Sequence, residues 1–144
     1  MSFEDDFAVD VQAEDEGQWI EHPDKPGYHV YVRSIHYPPF RRWRDARIQK
    51  ARRNSMDGTV QADTIDKINS EGIAKFLLLD WDGFGEPYSY EKAYERLTER
   101  KYRKFRDFVT YAAGAVGDDE LLDHEDDKGN SETSSGGKQS TGHS

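Results

Sequence analysis

Hydrophobic positions change their period several times along the chain, and each change marks an element. Gln18-Trp19-Ile20-Glu21-His22 is a short strand candidate. Tyr28 to Ile35 alternates, placing Tyr28, Val30, Val32 and Ser34 on one face. Pro23-Asp24-Lys25-Pro26-Gly27 between them is a turn cluster, so the two runs predict a β-hairpin. A lone hairpin is marginal in water and must pack on something.

Helical spacing takes over from Pro38-Pro39, where proline suits a first turn. That helix is expected to reach about Arg53, with Phe40, Trp43, Ala46 and Ala51 near one side and Arg41, Arg42, Arg44, Arg47, Lys50, Arg52 and Arg53 around the rest. Met56-Asp57-Gly58-Thr59 reads as a turn. A second helix is expected from Val60 to Trp81, with Ile65, Ile68, Gly72, Phe76 and Leu79 at helical spacing. Its end, Ile73 to Leu79, is apolar almost all round, which implies burial on several sides. Ser89 is an N-cap candidate for a third helix running to Leu97. A break near Thr98 precedes a fourth, from Lys101 to Val116, with Gly117 as its stop. Its stripe is Tyr102, Phe105, Phe108, Val109, Ala112, Ala113 and Val116, opposite Arg100, Lys101, Arg103, Lys104 and Arg106.

These elements predict a mainly α domain of about four helices with a short N-terminal β-hairpin, over residues 17–117. Residues 1–16 form an acidic arm expected to be disordered, and residues 118–144 an acidic, then Gly/Ser-rich tail of the same kind. Composition sharpens this division. Only 34% of the 144 residues are hydrophobic and 34% are charged, so the core is small. The net charge of −9 is unevenly spread: residues 25–117 hold 18 basic against 12 acidic groups, while both arms are acidic. There is no cysteine, hence no disulfide framework and no thiolate metal site. The N-terminus lacks the basic and apolar regions of a signal peptide. No apolar run approaches the roughly 18 residues that span a membrane.

Candidate chemistry is sparse. Asp80-x-Asp82-x-Phe84-Gly85-x5-Glu91 nearly matches a calcium-binding loop between helices. Phe84, however, stands where the third oxygen ligand belongs, and Pro87 has no N–H to give to a partner loop. The histidines, His22, His29, His36, His124 and His143, show no zinc spacing. No GxSxG, P-loop or GxGxxG occurs, and no nucleophile with a poised base can be assembled. No catalytic, cofactor-binding or metal-binding residue is therefore assigned, and a non-enzymatic role is expected. The basic helix with Phe40 and Trp43 has some of the footprint of nucleic-acid binding. Its aromatics fall on the expected core side, and the overall pI of about 5.0 disfavours that partner.

The order of these features resembles the tail assembly chaperones of long-tailed, siphovirus-like bacteriophages. The resemblance is carried by the opening GQWIEHPDKPGYHVYVRSI, the basic helix PPFRRWRDARIQKARR, the segment LLLDWDGF followed by GEPYSYEKAYERL, and the aromatic helix YRKFRDFVTYAA. It implies a protein of the host cell cytoplasm that binds the tape measure protein and keeps it soluble until tail tube subunits polymerise around it. It further implies self-association and absence from the mature virion. The residues expected to meet the partner are Tyr102, Phe105, Phe108, Val109 and Ala112 on the stripe, with Arg41 and Arg44 on the basic helix. Two other readings stay open. One is a small phage protein associated with nucleic acid or DNA packaging through Arg41 to Arg53; the other is a degenerate calcium-binding protein.

Overall fold

The computed structural model describes residues 2–118, and the expected disorder of 119–144, with His124 and His143, lies outside them. They divide into a short N-terminal segment, up to Val9, and a body, Asp10–Gly117. The N-terminal segment holds helix α1, Phe3–Phe7. Ser2 Oγ caps it by accepting from the Asp5 amide at 3.1 Å, and Glu4, Asp5 and Asp6 lie in its positive first turn. The Phe3 and Phe7 rings meet at 5.1 Å on one side.

The body begins with a second short helix, α2, Val11–Glu16, capped by Asp10. Residues 1–16 were expected to be disordered on composition; instead, local capping folds two stretches of them. Long-range bonds anchor α2 as well. The Asp10 amide donates to Gly117 O at 2.9 Å, and the Ser34 amide donates to Glu14 O at 3.0 Å. Arg33 acts as a clasp, with Nε donating to Asp15 O at 2.8 Å and Nη1 to Phe76 O at 3.0 Å.

Strands β1, Gln18–Glu21, and β2, His29–Val32, form the expected hairpin, with Trp19 opposite Tyr31 and Ile20 opposite Val30. The sheet does not stop there. Strand β3, Leu78–Asp82, pairs antiparallel with β2, giving the order β1-β2-β3. This corrects the reading of a helix running through to Trp81. Helix α4 covers only Ala62–Gly72 and passes through a π-helical turn, Ile73–Leu77, into the strand. An apolar run without clear period fits a buried helix or a buried strand equally. The unpaired edge of β2 decides, because its backbone groups need partners. The pairing is offset by a bulge at Leu79, so both Leu78 and Trp81 face inward.

Helix α3, Pro38–Arg53, runs as expected and buries Phe40. Ala46, expected on its inner side, is exposed; Ile48 takes that place, four residues on from Arg44. In the turn after α3, Asp57 accepts from both hydroxyls of Ser55 and Thr59 and from the Thr59 amide. The Thr59 hydroxyl above all holds its carboxyl down to about 2. Helix α5, Tyr90–Thr98, starts at Ser89, whose Oγ accepts from the Lys92 amide at 3.2 Å. After an extended Glu99 and a single 3-10 turn, α6, Arg103–Ala115, closes the fold.

The core lies between the sheet and α6, with α3, α4 and α5 packed beside it. Ile20, Val30, Val32, Leu78 and Trp81 supply the sheet's inner side, while Phe108, Val109, Ala112 and Ala113 supply α6. The fold is thus mostly helical, but with a three-stranded antiparallel sheet where two strands were expected.

Candidate interaction surfaces

The segment from β3 to α5 is a structural corner. The Phe84 ring lies 5.0 Å from Tyr28, 5.6 Å from Trp81 and 5.6 Å from Phe105. Trp81 Nε1 donates to Glu86 O at 2.9 Å, and the Tyr88 hydroxyl donates to Leu78 O at 3.0 Å. Glu86 pairs with Arg96 and, at 3.2 Å, with Lys92; these cations, Arg96 first, hold its carboxyl below the usual range. Gly83, at φ 92°, lets the corner approach the hairpin turn: a Cβ there would sit 1.9 Å from Gly27 O. A calcium loop needs a helix on each side, and β3 occupies the place of the first. Among the described residues, no group of three or more His, Asp or Glu is placed to hold a metal ion.

The outer side of the sheet remains open. Strand alternation that buries Ile20, Val30 and Trp81 turns Trp19, Glu21, His29, Tyr31, Asp80 and Asp82 outward. Trp19 is 48% exposed, and its ring meets Tyr31 at 5.3 Å. The bulge brings half-buried Leu79 to the same side. Gly17 allows this packing, since a Cβ there would lie 2.8 Å from the Tyr31 ring and 3.3 Å from Leu79 Cδ1. A hollow of about 380 Å³ is lined by Trp19, His29, Asp80, Trp81 and Asp82. His29 sits between two carboxylates, 3.7 Å from Glu21 and 3.9 Å from Asp82. The surface thus has an apolar centre, Trp19-Tyr31-Leu79, and an acidic rim.

Helix α3 presents a different surface. Arg41, Arg42, Lys50, Arg52 and Arg53 are exposed, together with Asp45, Ala46 and Gln49. Among the described residues none of these five cations makes an ion pair. The other two arginines of the helix are engaged: half-buried Arg44 pairs with Asp45 at 3.5 Å, and exposed Arg47 pairs with Glu71 at 3.2 Å and lies over the Trp43 ring. Glu71 also accepts from the Tyr94 hydroxyl at 2.9 Å, tying α3 and α5 to α4.

The residues expected to dock a partner separate in the fold. Phe108 is 5% exposed, and Val109 and Ala112 are fully buried against the sheet. Phe105 is half-buried in the corner cluster, and Tyr102 is half-buried beneath Arg96 and Lys101. The stripe is therefore core, and it does not form an open docking face with Arg41, which is exposed, and Arg44, which is half-buried. One open aromatic surface lies instead at exposed Trp19 and half-buried Tyr31; exposed Tyr90 and Tyr94 form another pair on α5. Strand alternation gives the direction of Trp19 only once Ile20 is known to be buried, which turns Trp19 outward. His22 is structural: Nδ1 accepts from the Asp24 and Lys25 amides, and the ring meets Phe108 at 4.5 Å.

The body is a small three-stranded sheet backed by helices, with one aromatic–acidic face and one basic helix face. Residues 35–130 match the family of YdaY prophage proteins, and the chain belongs to that family. The matched span takes in α3 to α6, including β3, and leaves the β1–β2 hairpin before it. No curated protein and no solved structure matches the chain.

Proposed function

We propose that this prophage protein is a non-enzymatic tail assembly chaperone that binds the tape measure protein in the host cytoplasm until the tail tube assembles. Membership of a prophage family supports the setting. The observation that carries the reading is the open sheet face. Its apolar centre, Trp19, Tyr31 and Leu79, is bounded by Glu21, Asp80 and Asp82. An apolar centre inside a charged rim is the anatomy of a protein-binding site. A long helical partner with an apolar stripe flanked by basic residues complements it. Tail tube subunits would displace the chain by covering the same stripe, leaving it out of the mature virion.

Co-expression with the tape measure protein of the same prophage tests this. The tape measure is expected in the soluble fraction with the intact chain. It is expected in the pellet alone, or with a Trp19→Ala/Tyr31→Ala variant whose fold is verified by circular dichroism. Equal solubility with and without the chain sinks the proposal.

A further inference from the structure

We propose that the outer face of α3 binds the phosphate backbone of duplex DNA without sequence preference. Arg41 and Arg42 at one end match Arg52 and Arg53 at the other, three helical turns or about 16 Å further along the same side. Lys50 lies between them along the axis, at the edge of this side next to Arg53. These five cations have no ion-pair partner among the described residues, so binding breaks no salt bridge they make there. Duplex DNA carries about one negative charge per 1.7 Å of axis, so a face of this length meets roughly ten of them.

The composition of the face selects the partner. Between the arginine pairs lie Asp45, Ala46 and Gln49, with no large apolar side chain. A protein interface needs a desolvated anchor at its centre, and this face offers none. Single-stranded nucleic acid is held largely by bases stacked on aromatic rings. The helix's aromatics are withdrawn: Phe40 is buried, and Trp43 packs on Phe76 at 5.8 Å with Arg47 above it. The major groove of B-DNA admits a helix, whereas that of duplex RNA is deep and narrow. The matched side chains suit phosphates, and nothing on the face is arranged to read base edges.

This inference does not rest on the chaperone reading, and the two fail separately. Fluorescence anisotropy with a labelled duplex DNA of about 20 base pairs at low salt tests it, using the full chain. Binding is expected to weaken with a log–log salt slope of about −4 to −5, near 0.9 per engaged cation. Arg52→Ala/Arg53→Ala should weaken binding about tenfold or more and reduce the slope by about two. Arg41→Ala/Arg42→Ala/Arg52→Ala/Arg53→Ala should abolish it. The control Arg100→Ala/Lys104→Ala removes the same charge elsewhere and should leave binding nearly unchanged. Thermal unfolding verifies that each variant is folded, as expected for exposed side chains. The assignment is overturned by absence of binding at low salt, by equal loss in the control, or by equally tight competition from poly-glutamate.

Discussion

The open face of the sheet and the outer face of α3 are both exposed, yet they differ in construction. The sheet face gathers Trp19, Tyr31 and Leu79 at its centre and keeps Glu21, Asp80 and Asp82 around them. The helix face gathers charged and small or polar residues without a large apolar one, and keeps Phe40 and Trp43 turned away. The difference lies in how each element divides its residues. A strand offers every second position to solvent, so a β-branched or aromatic-rich strand necessarily presents large side chains outward. A helix packed on one stripe can sort apolar from charged residues almost completely. A net charge of −9 therefore says little about either surface. Local sign and apolar content decide what each can hold.

Three measurements break or sharpen this contrast. Phe40→Ala has the largest expected effect, because Phe40 is 1% exposed and fixes α3 to the core. A loss of about 3–5 kcal/mol is expected from urea unfolding. DNA binding should weaken more than tape measure retention under conditions where the variant remains folded. Gly83→Ala attacks the other side. The added Cβ collides with Gly27 O at a backbone conformation that alanine resists. About 2–4 kcal/mol should be lost, measured by urea unfolding. The smallest effect belongs to Glu86→Gln. Arg96 and Lys92 depress the Glu86 carboxyl in the folded state, so its contribution is present above its ordinary value of 4.5. That contribution is lost as pH falls through the depressed folded value. The variant should be slightly less stable at neutral pH, and the difference should vanish in acid; a constant difference across that range would remove Glu86 from the account.

The ends of elements were the most readable part of the chain. Pro38, Ser89 and Gly117 carry the backbone chemistry that starts or stops a helix, and all three stand where the structure uses them. Ser2 and Asp10 carry the same chemistry, but the acidic composition around them pointed to disorder. Strand β3 was not readable because Ile73 to Leu79 has no single period. Its state is set by the free edge of β2, a partner 46 residues away between paired Val32 and Leu78. The aromatic stripe of α6 was visible as a stripe, but its burial is a tertiary fact. Any amphipathic face looks available until the layer covering it is known. Trp19 was hidden for the opposite reason: one tryptophan in a four-residue strand shows its direction only once Ile20 is placed inside.

The bulge at Leu79 has a further consequence for how the strand can be paired. Leu78 and Trp81 are separated by an odd number of positions, so a regular strand would send them to opposite sides. One surplus residue resets the phase and sends both inward. Slippage of β3 by a single step along its neighbour would drive Asp80 and Asp82 into the core and Trp81 into water. Burying two carboxylates without partners costs far more than a shifted ladder of hydrogen bonds could return. The two acids on the open face thus act as a lock against misalignment, and this edge strand, short as it is, has one admissible setting.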